Sequence, residues 1–134
     1  MRFFGMIKSF FAPKTPAQKL GIFGERKAAK FLKKRGMRIL ARNYRCGRDE
    51  VDIVALDNNQ LVIIEVKTRT KNALVDGYFA ALSKTKKTGV RNCIKKIYSQ
   101  NKTLPRSWRY DVVDIRVDSQ TSSVEIKHFE NIRI

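Results

Sequence analysis

The amino-acid sequence predicts an α/β protein with a central mixed β-sheet flanked by helices. Its helix-like and strand-like segments follow the order αβββαββ, which is typical of a sheet with helices on its faces. The chain has 134 residues, 43% of them hydrophobic, which is enough for one core and too few for two domains. We therefore expect one domain over residues 16–134, preceded by a tail or short amphipathic helix at residues 1–15.

The first element is predicted to be a helix from about residue 16 to residue 35. Residues 15–18 read Thr-Pro-Ala-Gln, which supplies an N-cap, a proline at the first helical position and a capping-box glutamine. Gly36 ends the helix. Glu25 lies seven residues before Leu32 and only about 20° away around the axis, at the edge of the buried face. The apolar stripe consists of Leu20, Phe23, Ala28, Phe31 and Leu32.

The remaining elements are read from apolar runs and from the turn residues between them. A basic helix is expected after the first three strands, followed by two more strands. Trp108, Tyr110, Val112 and Ile115 are expected to pack in the core or on the sheet. The predicted ranges are a strand near 37–44, a hairpin over 51–67, a helix near 78–99 and strands near 108–117 and 123–129.

The hairpin brings charged side chains together. If the two asparagines of Asp57-Asn58-Asn59-Gln60 form the turn, Asp52 lies opposite Glu65. Because side chains alternate between faces, Lys67 joins the same face, and Glu50 lies opposite Lys67. Four charged groups should therefore converge on one patch of an otherwise apolar hairpin.

A divalent cation would compensate the two facing carboxylates, which otherwise repel each other among apolar neighbours. Hard cations such as Mg²⁺ take one or two carboxylates together with water and phosphate oxygens, so Asp52 and Glu65 are candidate ligands. Lys67 could hold the attacking water and offset charge on phosphorus. The alternative is a surface ion pair on a solvated sheet face. The uniformly apolar residues 61–64 favour a site, because they suggest a strand buried on both faces.

These residues resemble a known signature. Asp52 followed thirteen residues later by Glu65-Val66-Lys67 is similar to the Asp…Glu-x-Lys pattern of the restriction-endonuclease-like nuclease superfamily, which includes archaeal Holliday-junction resolvases. Residues 17–134 resemble more closely the bacterial YraN-like proteins, a family of uncertain function. One departure is Asp49, where that family usually has glycine. The matching blocks are Gly24-Glu25, residues 42–45, 50–55 and 61–69, Lys86, residues 110–113 and residues 128–131.

The resemblance implies a restriction-endonuclease-like core with a metal-dependent phosphodiesterase site that uses Mg²⁺ or Mn²⁺. Glu25, Asp52, Glu65 and Lys67 match the active-site positions of the superfamily. The expected ligands are Asp52 and Glu65, with the Val66 carbonyl third and Glu25 acting directly or through water. For Glu25 the alternative is a solvated helix charge paired with a basic neighbour.

Charge indicates a polyanionic partner. The chain has 29 Lys and Arg against 12 Asp and Glu, for a net charge of +17. One side of the second helix carries a basic stripe, and its other side carries Leu82, Val90, Ile94 and Ile97. Lys86 of this helix is expected near the site as a phosphate contact, and Arg69 is added to the nucleic-acid contacts. The stripe consists of Lys84, Lys87, Arg91 and Lys95.

Cysteine usage suggests a reducing compartment. With only Cys46, Cys93 and one histidine, a Cys/His zinc site within one chain is excluded. The two cysteines also argue against a disulfide scaffold, which points to the cytoplasm. We expect each to be a small core or near-surface hydrophobic residue, with a redox role as the less favoured alternative.

The segment before Pro16 leaves three interpretations open. Its phenylalanines are spaced as on one helix face, and Lys8 interrupts any signal-peptide core. A flexible tail is favoured over a helix docked on the protein or on a dimer partner, and contact with a membrane surface is the least favoured.

The leading functional hypothesis is a metal-dependent DNA endonuclease, with branched or junction DNA as substrate by analogy alone. The alternatives are a nucleic-acid-binding module without turnover and a basic RNA- or ribosome-associated protein. The sequence leaves open whether the chain forms a homodimer.

Overall fold

The computed structural model describes residues 15–71 and 83–134, which form two helices and five strands. Their order is αβββαββ, as the sequence predicted. The elements are α1 (Pro16–Lys34), β1 (Arg38–Cys46), β2 (Asp49–Asp57), β3 (Gln60–Thr70), α2 (Lys84–Gln100), β4 (Trp108–Val117) and β5 (Val124–Phe129).

The strands form one mixed sheet in the order β1-β2-β3-β4-β5. Only β3 and β4 are parallel, and the other neighbouring pairs are antiparallel. The chain returns from β3 to β4 by way of α2, because parallel neighbours need a crossover connection. The predicted α/β class is confirmed, and the arrangement is the one expected of a restriction-endonuclease-like core.

Helix α1 begins with the predicted capping box. The Gln18 N–H donates to Thr15 Oγ1 at 3.1 Å, and the Thr15 N–H donates back to Gln18 Oε1 at 3.2 Å. Its buried residues are Gly24, Ala28, Ala29 and Leu32. Phe23 was expected in the apolar stripe but is 38% exposed. The reason is geometric, since Phe23 lies about 165° around the axis from the centre of that buried face.

The hairpin of β2 and β3 has the predicted register. Pairing runs from Asp57↔Gln60 to Ile53↔Ile64, with the asparagines in the turn. Residues 61–64 are 0% exposed and alternate between two core clusters. Ile63 packs in the cluster with α2, and Ile64 packs in the cluster with α1. The strand is therefore buried on both faces, as its sequence indicated.

Helix α2 begins later than predicted. Ser83 is extended and its Oγ accepts the Lys86 N–H at 3.1 Å, which caps a helix whose first residue is Lys84. The predicted start near 78, and Leu82 with it, lie outside the described residues. Val90, Ile94 and Ile97 are buried against the sheet as expected.

Cys46 and Cys93 are buried in the core, as predicted, but the expectation of no disulfide was wrong, because the two form one. Cys46 ends β1 and Cys93 lies in α2, with their Cα atoms 5.4 Å apart. Their sequence separation of 47 residues hid this pairing, which results from docking α2 against the end of β1. The disulfide removes part of the support for a reducing compartment.

The interpretations offered for the N-terminal segment concern residues 1–14, which lie outside the described residues. Thr15, the first described residue, caps α1, which begins at Pro16 as the sequence predicted. In the described ranges, no helix is both long enough and apolar enough to cross a membrane.

Candidate active site

Asp52 of β2 and Glu65 of β3 lie one residue beyond Ile53↔Ile64, the pair of the hairpin farthest from its turn. Asp52 Oδ2 accepts a hydrogen bond from the Val66 N–H at 2.8 Å, so the carboxylate itself bridges the two strands. The charge of Glu65 acts on Asp52. The two acids that the sequence placed opposite each other are thus neighbours where the strand pairing ends.

The surroundings oppose the ionisation of both acids. Burial raises the pKa of the Asp52 carboxyl to about 7, and the charge of Glu65 acts in the same direction, against the Val66 hydrogen bond and Lys86. Burial also raises the pKa of the Glu65 carboxyl above its ordinary value of 4.5, although Lys86 opposes the shift. The protein therefore stabilises these two negative charges incompletely.

The direct partner of Glu65 is a lysine from α2. Lys86 Nζ lies 3.1 Å from Glu65 Oε2, with side chains 37% and 14% exposed. Lys67, two residues beyond Glu65 on β3, is exposed, and its charge favours ionised Glu65. Glu50 was expected to face Lys67 but instead forms an ion pair with Arg45 of β1 at 3.2 Å. The charged groups converge as predicted, with different pairings.

Helix α1 contributes Glu25. Burial raises the pKa of its carboxyl, the charge of Asp52 adds to this, and a hydrogen bond from Asn43 opposes it. A Cβ atom at Gly24 would overlap the Thr68 side chain, so this glycine lets α1 lie directly on β3. The glycine next to Glu25 in the matching block thus has a steric role.

Asn43 is a residue near the site that the sequence reasoning missed. It lies within β1 at φ 50°, a left-handed conformation that asparagine tolerates better than most residues, and its side chain bonds Glu25. The matching block 42–45 contained it, but nothing in a strand-like run indicates which side chain turns toward a helix.

The carboxylates of Asp52 and Glu65 supply some, but not all, of the ligands that a hard cation needs. Within residues 15–71 and 83–134, no three Asp, Glu, His or Cys side chains form a preassembled metal cluster. Two neighbouring carboxylates that the protein compensates incompletely are nevertheless the donors from which Mg²⁺ sites with water and substrate ligands are built. Asp52 and Glu65 therefore fit an unfinished metal site.

A cleft of about 380 Å³ adjoins Lys86, between the start of α2 and the turn joining β1 to β2. Helix α2 approaches β2 closely here, because a Cβ atom on Gly89 would lie 2.6 Å from Asp49 Oδ1. Asp49, the departure from the family pattern, thus faces α2 and lies 3.5 Å from Asn92 Nδ2. The lining residues are Arg48, Asp49, Glu50, Ser83, Thr85, Lys86, Gly89 and Val90.

The basic stripe lies on the outer side of α2. Lys84, Arg91 and Lys95 are exposed, and Lys87 is partly exposed. Arg69 does not fit a role in binding nucleic acid. Its side chain is 8% exposed and its Nε donates to Asp114 Oδ1 at 3.2 Å, so we remove it from the expected contacts.

Two other matching blocks meet at a second charged cluster. Asp111 is fully buried and accepts from Arg109 Nε and from the Asn131 N–H. His128 Nε2 lies 2.8 Å from Asp111 Oδ2, and Arg35 Nη1 lies 2.9 Å from His128 Nδ1. We call this set the Asp111 network. It ties the start of β4 to the end of β5, the chain after it and the end of α1.

Fold and site together define a class of protein: an α/β domain with a pair of acids at the end of a central hairpin. Residues 24–115 match UPF0102, described as an uncharacterised protein family, and the chain belongs to that family. The YraN-like resemblance is thereby confirmed.

Relatives in several bacteria support the assignment. The chain is 36% identical over 115 residues to a UPF0102 protein of Caldicellulosiruptor saccharolyticus, covering 85% of this chain and 96% of that protein. It is 39% identical over 113 residues to one of Roseiflexus castenholzii, covering 82% and 89%. It is 32% identical over 117 residues to one of Clostridium acetobutylicum, covering 85% and 93%.

Proposed function

We propose that the protein is a Mg²⁺- or Mn²⁺-dependent DNA endonuclease of the restriction-endonuclease-like superfamily. The observation that carries the proposal is the Asp52–Glu65 pair, partly buried at the end of the hairpin and incompletely compensated by the protein. A fold on its own does not assign an activity, so the argument depends on these acids and the lysines near them.

A bound metal ion would polarise a phosphodiester and activate a water molecule. Asp52 and Glu65 would hold it through carboxylate oxygens. The Val66 carbonyl suits a third ligand, because the N–H and C=O of one strand residue point to the same side and its N–H points to Asp52. Glu25 would act directly or through water. Lys67 would hold the attacking water and offset the charge that develops on phosphorus.

The partner is inferred from charge. A net charge of +17 and an exposed basic stripe on the helix that carries Lys86 suit a phosphate backbone beside the acids. Branched or junction DNA is the proposed substrate by analogy with the resolvases of the superfamily. A DNA substrate would place the protein in the cytoplasm, where the Cys46–Cys93 bond would be exposed to reductants.

A second candidate is a nucleic-acid-binding module without turnover, bound to DNA or to RNA. The observation that favours it is the Lys86–Glu65 ion pair, which gives Glu65 a cationic partner without any metal. The exposed stripe would serve such a module equally well. The two candidates differ in whether phosphodiester bonds are broken.

The test combines metal binding with cleavage. Calorimetric titration of Mn²⁺ into the wild type should show binding that an Asp52→Ala/Glu65→Ala double variant lacks. A cleavage screen over single strands, duplexes, flaps and four-way junctions with Mg²⁺ and Mn²⁺ should then identify a substrate. Equal Mn²⁺ binding by both proteins would remove the metal site, and no cleavage of any substrate would favour the binding module.

The salt dependence of DNA affinity tests whether the basic stripe contacts phosphates. Each lost phosphate contact should lower the slope of log affinity against log salt by about 0.9 for duplex DNA. Changing Lys87 and Arg91 together to alanine should therefore flatten that slope by up to about two units, whatever the sequence. An unchanged slope would mean that the stripe is only a solvated face, and the contacts would then be sought near residues 42–48.

A further inference from the structure

The Lys86 ammonium lies where a metal ion bound to Glu65 would have to lie. It lies 3.1 Å from Glu65 Oε2, and the Glu65 side chain is only 14% exposed. A cation bound by Glu65 would lie close to this ammonium, and like charges at such a distance repel. Lys86 and a divalent ion therefore compete for the same carboxylate.

The ammonium can leave without disturbing the helix. The backbone of Lys86 is held by the Ser83 cap at 3.1 Å, so only the long side chain needs to move. That side chain is 37% exposed and lines the cleft of about 380 Å³ between α2 and the β1–β2 turn. It can therefore swing from Glu65 into open space beside the acids.

The start of α2 favours an anion as the next partner of Lys86. Its first turn has no acidic residue and carries three lysines, Lys84, Lys86 and Lys87. This arrangement opposes the usual charge preference, since the N-terminal end of a helix is already positive. A phosphate at the site would relieve both the helix end and the released lysine.

We infer that Lys86 is an exchangeable counter-ion, bound to Glu65 in the free protein and transferred to a substrate phosphate when metal binds, so that metal and DNA strengthen each other's binding. This inference rests on the proposed function and adds to it a means of coupling the cofactor to the substrate. The site would bind metal weakly until DNA arrives.

The experiment measures Mn²⁺ affinity by calorimetry at pH 8, with and without a short phosphorothioate duplex. Lys86→Met keeps the aliphatic stem and removes the charge, and Lys102→Met removes a matched exposed lysine after α2. Without DNA, Lys86→Met should bind Mn²⁺ on the order of tenfold more tightly than the wild type. Lys102→Met should leave the affinity unchanged. Lys86→Arg should bind Mn²⁺ no more tightly than the wild type, because arginine pairs strongly with carboxylates.

Coupling is the second readout. The factor by which the duplex tightens Mn²⁺ binding should be on the order of tenfold smaller in Lys86→Met than in the wild type, and linkage requires the same factor for the effect of Mn²⁺ on duplex binding. Equal Mn²⁺ affinities or equal coupling factors in these two proteins would overturn the inference and leave the metal site standing. Failure of every variant to bind Mn²⁺ would overturn the proposed metal site as well.

Discussion

Asp52 and Asp111 are two acids of one sheet whose environments act in opposite directions. Burial opposes the charge of both. At Asp111, hydrogen bonds from His128, Arg109 and the Asn131 backbone outweigh burial and hold the pKa of the carboxyl below its ordinary value of 3.8. At Asp52, burial and the charge of Glu65 outweigh one backbone hydrogen bond and raise the pKa to about 7.

The difference separates a structural acid from a candidate catalytic one. Asp111 is surrounded by fixed donors from several parts of the chain, so its charge holds the fold together. Asp52 has another acid as its neighbour, and one backbone hydrogen bond and the charge of Lys86 stabilise its own charge only in part. Five predictions test or sharpen this contrast, from the largest expected effect to the smallest.

Asp111→Asn should lower the free energy of unfolding by about 3–5 kcal/mol, because it removes the charge that pairs with the largely buried side chains of Arg109 and His128. Urea unfolding followed by circular dichroism measures the change. The matched control is Glu130→Gln, whose carboxylate is 56% exposed and 3.9 Å from Arg109 Nη2, and which should cost less than about 1 kcal/mol. Equal losses for both variants would end the distinction between a buried network and surface pairs.

Acid should abolish the difference between Asp111→Asn and the wild type. A lowered folded pKa contributes stability above the ordinary value of 3.8, and that stability is lost as the pH falls through the folded pKa. The gap in unfolding free energy should therefore be full at neutral pH and narrow below about pH 4. A gap independent of pH would assign the loss to shape and not to charge.

Changing Cys46 and Cys93 together to serine should lower the free energy of unfolding by about 2–5 kcal/mol, since the disulfide closes a separation of 47 residues. Urea unfolding without added oxidant or reductant measures the loss of stability. Reducing the disulfide of the wild type should lower its unfolding free energy by a comparable amount. Because the disulfide ties α2 beside the site, the double variant also shows how far the lysines of α2 depend on this link. A stability unaffected by both treatments would contradict the structural role.

Lys67→Ala should lower cleavage about 10²–10³-fold and leave DNA affinity within a few fold, because Lys67 acts on charge that develops in the transition state. Single-turnover kinetics on a cleaved substrate measure the rate, and filter binding measures the affinity. The control is Lys71→Ala, which removes an exposed lysine just after the end of β3 and should cleave normally. A loss of affinity equal to the loss of rate would make Lys67 a binding residue.

Asp52→Asn should raise the free energy of unfolding of the chelated protein by about 1 kcal/mol, the opposite sign to Asp111→Asn. The asparagine keeps an oxygen for the Val66 N–H and removes a charge that burial and Glu65 disfavour. Thermal unfolding in the presence of EDTA measures the change. Destabilisation by this variant would place Asp52 with Asp111 among the structural acids.

Local patterns predicted much of the fold. The capping box at residues 15–18 started α1, and the Asn58–Asn59 turn set a register that placed Asp52 beside Glu65. The start of α2 was placed too early, because apolar spacing continues before Ser83 and does not show where the cap lies. Local rules act over a few residues, so they place a boundary where the cap is recognised, as at Thr15, and misplace it where the cap is not recognised, as at Ser83.

The sequence by itself determined the order of elements, the hairpin and the meeting of its two acids, because these depend on neighbours along the chain. Only the tertiary structure decided which distant groups pair. Docking of α2 joined Lys86 to Glu65 and Cys46 to Cys93, and the packing of β4 beside β3 buried Arg69 against Asp114. Such pairings depend on how helices and strands pack in space, and no pattern within one element records that geometry.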